Sequence, residues 1–288
     1  MEAPSGDRRM NETRANRLLE PAKLDLTRYL SRIEYAGPRN ATIVTLTALH
    51  RAHVTHIPFE NLDVVLARPI ALDLASLQAK LVAGRRGGYC FEQNLLFSAV
   101  LQAFGFRVTQ LAARVRLGTS VLRPRTHMTL AVEIEASGGR WLVDVGFGAQ
   151  GPLEPVPLEP GASSQQGSWT FRIADENALN VLQSSRGDEW QDLYAFTLEP
   201  QHRVDYELMS HYTSTHPSSP FTQILTAQRI APDVRRILRD RDYSEDRGHD
   251  VTTRTLAGAG EIRDVLADEF DLHFPADEAS ALLRKFSP

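Results

Sequence analysis

The chain has 288 residues, of which 42% are hydrophobic and 24% charged, and its formal net charge is −4. This length predicts two or three domains, and the acidic balance argues against a nucleic-acid partner, which would need a concentrated basic surface. The single cysteine, Cys90, excludes an intrachain disulfide and a cysteine-cluster metal site, and it favours a reducing, cytoplasmic location. No apolar run approaches the roughly 18 residues that a membrane span needs, so we expect no membrane partner.

The first third of the chain reads as helical. Residues 1–20 are polar and lack an apolar face, which predicts a loose N-terminal extension. Residues 21–105 predict a helical bundle, in which Asp25, Thr42 and Asp73 each stand just before a run with helical spacing of apolar residues.

The last helix of this unit carries the cysteine. Apolar residues recur behind Cys90 with the spacing of one helix face: Leu96, Val100, Leu101 and Phe104. Gly105 predicts the end of the helix, so Cys90 lies at or near its N-terminus. Free backbone N–H groups and the positive end of the helix dipole gather there, and both favour a thiolate. A buried cysteine that acts as a small hydrophobic residue is the alternative.

Near Gly105 the apolar period changes from helical to alternating. Residues 106–204 predict strands in series without intervening helices, which favours an antiparallel barrel or sandwich over a βαβ sheet. The predicted strands are Phe106–Leu117, Met128–Ile134, Trp141–Phe147, Trp169–Ile173, Ala178–Gln183 and Trp190–Leu198.

Helical patterns return in residues 205–288. We predict helices over Asp205–His211 and Pro220–Ile230, followed by short mixed elements. The segment ends in an amphipathic helix, whose apolar face contains Ile262, Val265, Leu266 and Phe270.

A cysteine nucleophile needs a base, and the base needs an orienting group. His127 alternates with apolar residues in one predicted strand, and Asp144 stands in the middle of another. Ala136–Gly139 predicts a hairpin between them. With Gly138 and Gly139 as the central turn residues, the two side chains share a face but are out of line, so their contact requires a bulge or a longer loop.

Other polar residues allow further interpretations. His50, His53 and His56 recur at helical spacing, but no cysteine or carboxylate cluster completes a tetrahedral set, so we predict no metal. Glu60 and Asp63 are compatible with an acid–base pair, although a solvated loop after the second helix explains them better.

Five segments taken together resemble the arylamine N-acetyltransferase family, over residues from about 28 to 275. They are His56–Asp63 (HIPFENLD), Arg86–Asn94 (RGGYCFEQN), Arg125–Met128 (RTHM), Asp144–Gly148 (DVGFG), and Ser214–Pro217 (STHP) leading to Phe221. The resemblance implies an α+β fold with an N-terminal helical bundle, a central antiparallel β-barrel and a C-terminal α/β lid. It also implies ping-pong transfer of acetyl from acetyl-CoA, through a cysteine thioester, to arylamines, arylhydrazines and N-hydroxyarylamines.

Site residues follow from the same resemblance. It implies a catalytic triad of Cys90, His127 and Asp144. It implies that the acceptor pocket is lined by Phe59, Val115, Phe147 and Phe221, and that CoA lies beside Gly146, Phe147 and Gly148. Ser210 departs from the pattern, because the family commonly has asparagine at this position.

Two other functions remain open at this point. A Cys-His-Asp hydrolase or transglutaminase-like enzyme would use the same triad on amides or esters, and a catalytically silent binding protein would share the fold. Preference for an amine over water, and dependence on acetyl-CoA, separate the transferase from both. The sequence leaves the oligomeric state open, including a possible homodimer.

Overall fold

A computed structural model describes residues 23–117, 119, 121–135, 139–159, 161–186 and 189–274. The predicted N-terminal extension and residues 136–138 of the predicted hairpin turn lie outside these ranges. The first unit contains helices α1 to α5 and the short strand β1, which lies between α2 and α3. Their bounds are α1 Leu26–Arg32, α2 Ile43–His56, β1 Phe59–Glu60, α3 Leu62–Val65, α4 Leu74–Leu77 and α5 Cys90–Ala103. A π-helical stretch, Gln78–Ala83, continues α4.

The predicted helix starts are confirmed by hydrogen bonds. Oδ1 of Asp25 accepts from the backbone N–H of Arg28 at 3.1 Å. Thr42 and Asp73 accept in the same way from the backbone N–H groups three residues later. The cysteine helix begins at Cys90 as predicted, and every residue from Cys90 to Leu101 is buried. This helix therefore forms the centre of the N-terminal core.

The central unit is an antiparallel sheet with the order β5-β4-β3-β2-β9-β8-β7-β6. Its strands are β2 Arg107–Val115, β3 His127–Ile134, β4 Gly139–Val143, β5 Val156–Pro157, β6 Ser163–Gln166, β7 Trp169–Glu176, β8 Leu179–Ser185 and β9 Trp190–Phe196. The end strand β5 lies against β6 and β7, so the sheet nearly closes on itself. The predicted barrel is confirmed.

The last unit lies against the segment that leads into the cysteine helix. Helices α6 (Arg203–Thr215) and α7 (Pro220–Gln223) connect the barrel to a second sheet, with the order β1-β10-β11-β12-β13. Its further strands are β10 Thr226–Ala231, β11 Val234–Arg239, β12 Asp242–Asp246 and β13 Val251–Thr255, followed by helix α8 Ala259–Phe270. Helices, barrel and lid sheet make the fold α+β. None of the helices in the described ranges is long and apolar enough to cross a bilayer.

The predicted helix Pro220–Ile230 is wrong beyond Gln223. Residues 226–231 form β10, which pairs with β1 on one side and with β11 on the other. β1 comes from far earlier in the chain, whereas β11 follows β10 after the short turn at Pro232 and Asp233, and pairing on two sides outweighs the local helical pattern.

Strand β1 fixes how the lid meets the nucleophile helix. Phe59 pairs with Gln228 in the lid sheet and also forms a bridge with Gly88. The backbone N–H of Glu60 donates to the carbonyl of Gly88 at 3.1 Å. The loop that leads into Cys90 is therefore held directly against the edge of the lid sheet.

Candidate active site

Cys90 lies where the start of α5 meets the start of β3. Its side chain is buried, with Sγ 3.7 Å from the carbonyl oxygen of Thr126. The next residue, His127, is the first of β3 and is also buried. The structure thus places the predicted nucleophile and the predicted base side by side.

His127 and Asp144 form a buried ion pair, with 2.6 Å between Nε2 and Oδ2. Burial alone would lower the pKa of His127, but the Asp144 carboxylate and the Cys90 thiol raise it to about 10. Burial alone would raise the pKa of Asp144, but His127 and hydrogen bonds from Asn94 and Gly146 hold it below its ordinary value. At neutral pH the pair is therefore an imidazolium and a carboxylate.

The hairpin register explains how these two residues meet. Ile134 pairs with Gly139 and Leu130 pairs with Val143, so Gly139 belongs to β4. The predicted turn centred on Gly138 and Gly139 is thus wrong. The connection between β3 and β4 is longer, as contact between His127 and Asp144 requires. Asp144 follows Val143 directly and comes opposite a position two residues from His127, on the same face of the sheet.

Asn94 connects the nucleophile helix to the ion pair, a role that the sequence did not reveal. Its amide nitrogen donates to Asp144 Oδ1 at 3.0 Å and to the Met128 carbonyl at 2.7 Å. Its Oδ1 accepts from the backbone N–H of Val145 at 3.1 Å. Three successive polar residues, Glu92, Gln93 and Asn94, near the start of a largely apolar helix were the available signal.

His50 holds the backbone of Asp144. Its Nδ1 lies 3.0 Å from the carbonyl of Leu153, which can only accept, so Nδ1 carries the proton. Nε2 then accepts from the Asp144 backbone N–H at 3.3 Å. His50 is consequently neutral, and burial lowers its pKa to about 4.

The other histidines of α2 are also engaged by the protein. Nε2 of His53 lies 2.7 Å from Gln93 Oε1, and Nδ1 lies 2.8 Å from the hydroxyl of Tyr29. Burial lowers the pKa of His53 to about 3. Nδ1 of His56 lies 2.8 Å from the carbonyl of Ala52. Within the described ranges, no group of three or more histidine, cysteine, aspartate and glutamate residues could hold a metal ion.

The solvated-loop interpretation of Glu60 and Asp63 is wrong. Glu60 is buried and accepts from Arg86 at 2.7 Å and 3.0 Å. Asp63 pairs with Lys80 at 2.7 Å, and Lys80 also pairs with Glu92 in the first turn of α5. These charges form one network that anchors the loop before Cys90, because it joins β1, α3, the π-helical stretch and α5.

Two groups of aromatic side chains lie near Cys90, one in contact with the neighbouring residue Tyr89 and one in contact with His127. Phe59 and Phe221 are in contact, with ring centroids 6.0 Å apart. Phe147 lies edge-on to His127 at 5.0 Å. Tyr194, which the sequence did not single out, lies 4.8 Å from the His127 ring and 5.0 Å from that of Phe147.

Val115 lies beside one of these rings. It pairs with Tyr194 across the barrel strands and lines a cleft of about 1010 Å³. This cleft runs between the barrel and the lid, because Arg235 and Ile237 of β11 also line it.

Two glycines allow the loop after β4 to approach its neighbours. A Cβ at Gly146 would lie 2.7 Å from Cys90 Cα and 2.7 Å from Asn94 Nδ2. A Cβ at Gly148, where φ is +78°, would lie 2.4 Å from Gln228 Oε1. A side chain at Gly146 would press on the backbone of the cysteine helix, and one at Gly148 would have to move the Gln228 side chain and adopt an unfavourable φ.

Comparison with known proteins identifies the class first. A family model described as N-acetyltransferase matches residues 42–279. A solved arylamine N-acetyltransferase of Mycobacterium tuberculosis has a TM-score of 0.86 and 40% identity, covering 90% of this chain and 100% of that one. A structure of the Mycobacterium marinum arylamine N-acetyltransferase in complex with CoA has a TM-score of 0.86 and 38% identity, covering 91% of this chain and 98% of that one. The chain is thus an N-acetyltransferase in fold.

Sequence relatives narrow this class. The arylamine N-acetyltransferase of Mycobacterium tuberculosis is 42% identical over 254 residues, which is 87% of this chain and 90% of the relative. The arylamine N-acetyltransferase of Escherichia coli is 37% identical over 271 residues, or 91% of this chain and 96% of the relative. The chain belongs to the arylamine N-acetyltransferase family.

Gly146→Ala should destabilise the fold and slow alkylation of Cys90. The added methyl group has to push back the backbone of Cys90 and the Asn94 amide, and such overpacking costs about 1–3 kcal/mol. Urea unfolding and the rate of iodoacetamide labelling measure the two effects. Gly260→Ala in α8 is the matched control, because its Cβ would meet nothing within 4 Å. Equal stability and labelling rates in both variants would contradict the close contact.

Stability should fall as the pH drops from 6.5 to 4. His50 and His53 are buried with folded pKa values of about 4 and about 3, whereas an unfolded histidine has about 6.5. The unfolded chain therefore binds protons that the folded chain does not. For His50 alone, this lowers the free energy of unfolding by roughly 3 kcal/mol. The raised pKa of His127 changes the stability only above pH 6.5, and the carboxylates with lowered pKa values change it only below about pH 4.

Urea unfolding at pH 7, 6, 5 and 4.5 measures this slope. His50→Gln should make it shallower, because the group that gains a proton on unfolding is gone. An unchanged slope in a His50→Gln, His53→Gln double variant would rule the two histidines out as the cause.

Proposed function

We propose that this protein transfers acetyl groups from acetyl-CoA to arylamines, arylhydrazines and N-hydroxyarylamines through a thioester on Cys90. The observation that carries the proposal is the position of Cys90, at the start of the buried helix α5 and beside the His127–Asp144 ion pair. This arrangement supplies a nucleophile, a base and an orienting carboxylate in contact with one another. Membership of the arylamine N-acetyltransferase family supports the choice of donor and acceptors.

In the first half-reaction Cys90 takes up the acetyl group. The thiolate attacks the acetyl carbonyl carbon, the bond from that carbon to the CoA sulfur breaks, and His127 gives its proton to the leaving sulfur. Since Nε2 of His127 is bonded to Asp144, we assign this transfer to Nδ1. The backbone N–H of Cys90, at the start of α5, is the proposed donor to the carbonyl oxygen as it gains negative charge.

In the second half-reaction the neutral amine attacks the thioester carbon. His127, now neutral, accepts the proton of the amine, and Cys90 leaves as a thiolate that again faces an imidazolium. Asp144 stays ionised in both steps and keeps the imidazole in place. An aliphatic amine is mainly protonated at neutral pH, whereas an aromatic amine is mainly neutral and nucleophilic.

The phosphates of CoA fit the cleft between the barrel and the lid. Six arginines line this cleft: Arg114, Arg116, Arg123, Arg125, Arg186 and Arg235. Arg116, Arg125 and Arg186 are paired with carboxylates. Arg235 is buried over the Trp169 ring, and its Nε has no hydrogen-bond partner in the part of the chain that the structure describes. The cleft begins at Ala149 and Gln150, directly after Gly148, so the proposed CoA-binding residues Gly146, Phe147 and Gly148 lie between it and Cys90.

The acceptor pocket that we propose is built from Phe59, Phe147 and Phe221, with Val115 at the cleft side. Phe59 and Phe221 contact each other, and Phe147 contacts His127. Aromatic walls favour a planar aromatic acceptor, since burial of a ring contributes roughly 1–3 kcal/mol. A hydrolase would not need them, because water gains nothing from an apolar wall.

We further propose three units, residues 21–105, 106–204 and 205–288, after an extension of residues 1–20. The cysteine chemistry fits a cytoplasmic protein, because a reducing compartment keeps a lone nucleophilic thiol free. A homodimer is a further proposal, which light scattering or sedimentation would test.

Acetyl-CoA alone should add one acetyl group to the protein, and Cys90→Ala should abolish this adduct. Intact-mass analysis after removal of excess acetyl-CoA measures it. Asp144→Asn should slow the loading by orders of magnitude, because the imidazole loses its orienting carboxylate. His127→Gln should slow it too, and should lower the rate of alkylation at neutral pH. An adduct that persists in Cys90→Ala would overturn the proposed nucleophile, and a protein that never acquires acetyl would favour the silent binding protein.

Phe221→Ala should weaken the binding of aromatic acceptors and leave the rate of the loading step unchanged. Loading precedes acceptor binding in a ping-pong reaction, so only the second half-reaction loses the contact with Phe221. The loss should weaken acceptor binding by roughly 1 kcal/mol or more. The test is to follow deacetylation of the loaded enzyme by aniline, an arylhydrazine, an alkylamine and water. Leu208→Ala, at a residue that is 72% exposed on α6, is the control. If water or the alkylamine clears the acetyl group as fast as aniline, the hydrolase alternative gains.

A further inference from the structure

Ser210 lies in the middle of α6 and reaches the residue before the nucleophile. It is 3% exposed, and its Oγ forms a hydrogen bond with the hydroxyl of Tyr89, which is completely buried. The Tyr89 hydroxyl also lies 3.4 Å from the Ser210 backbone carbonyl. The position where this chain departs from the common family pattern is therefore in contact with the Cys90 segment.

The Tyr89 ring packs against the acceptor wall, by which we mean Phe59 and Phe221 of the proposed acceptor pocket. Its centroid lies 6.0 Å from that of Phe221, with the two rings edge to face. Phe221 in turn contacts Phe59 at 6.0 Å. A series of contacts thus runs from Ser210 through the Tyr89 ring to the two phenylalanines of the proposed acceptor pocket.

The backbone of Tyr89 is held separately from its ring. Its N–H donates to Glu92 Oε2 at 3.1 Å, and the preceding carbonyl, of Gly88, accepts from the N–H of Glu60. The backbone of Phe221 is also anchored, because the Asn61 amide donates to its carbonyl at 2.9 Å. Loss of the Ser210 hydroxyl should therefore release the Tyr89 ring without moving Cys90 or the α7 loop.

We propose that Ser210 is a specificity-determining positioning residue, which fixes the Tyr89 ring against Phe221 and so limits the size of the aromatic amine that the acetyl-enzyme accepts. This inference deepens the proposed function and depends on it. Burial explains why the size of residue 210 matters: a longer side chain there has to displace the phenol, and a shorter one removes the closer of the two oxygen atoms of residue 210 that the Tyr89 hydroxyl contacts.

The experiment separates the two half-reactions in the full-length protein. Loading by acetyl-CoA is followed by intact mass, and deacetylation of the loaded enzyme is followed with aniline and with the bicyclic 2-naphthylamine. For Ser210→Ala we expect an unchanged loading rate and an unchanged maximal deacetylation rate. The aniline concentration for half-maximal deacetylation should rise about threefold to tenfold, the factor that corresponds to one lost hydrogen bond. The preference for aniline over the larger 2-naphthylamine should shrink.

Two further variants distinguish positioning from general destabilisation. Ser210→Thr retains a hydroxyl and should restore the wild-type preference between the amines. Tyr89→Phe removes the other partner of the bond, so it should reproduce the effect of Ser210→Ala, and the double variant should add nothing. This arm decides the question even if the extra methyl group of threonine disturbs α6.

Failure of the inference and failure of the proposed function give different results. If wild-type protein acquires no acetyl group, or if no aromatic amine removes it, the proposed function fails. If the wild type works but Ser210→Ala keeps its amine preference, the inference fails. Equal slowing of loading and deacetylation in Ser210→Ala would also overturn it, because the residue would then act on Cys90 and not on the acceptor wall.

Discussion

The buried ion pair between His127 and Asp144 is the constraint on which the surrounding structure depends. Two charges removed from water have a large desolvation cost, which their mutual attraction offsets only when the remaining hydrogen-bonding atoms are satisfied. Asp144 meets this condition through the Asn94 amide and the backbone N–H of Gly146. Nε2 of His50 accepts from the backbone N–H of Asp144. Each of these partners comes from a different element, so the pair can form only when α2, α5 and the barrel have come together.

The same interactions place the cysteine. Asn94 lies one turn after Cys90 on α5, so the helix that carries the nucleophile is also the helix that binds the carboxylate. Gly146 lets the loop after Asp144 approach the backbone of Cys90 closely. A single helix therefore fixes both ends of the proposed triad, and the burial of every residue from Cys90 to Leu101 leaves it little freedom to shift.

A second set of charges controls the loop that precedes the cysteine. Glu60 of β1 pairs with Arg86, and Lys80 bridges Asp63 and Glu92. Removal of one member would leave a buried charge without a partner, which typically costs about 3–5 kcal/mol. Because β1 is also the edge strand of the lid sheet, this network links the lid to the loop that leads into Cys90.

The sequence alone determined the features that depend on near neighbours in the chain. The caps at Asp25, Thr42 and Asp73, the start of the helix at Cys90 and the alternation of the barrel strands are all local patterns, and the structure contains them. The proximity of His127 and Asp144 was allowed by the pattern, and only the loop length in the folded chain decided it. Residues 226–231 became a strand because they pair with the distant strand β1 as well as with the adjacent strand β11. The burial of Glu60, the partial burial of Asp63 and the roles of His50, Asn94 and Ser210 likewise depend on groups 17 to 121 residues away, whose proximity no local pattern encodes.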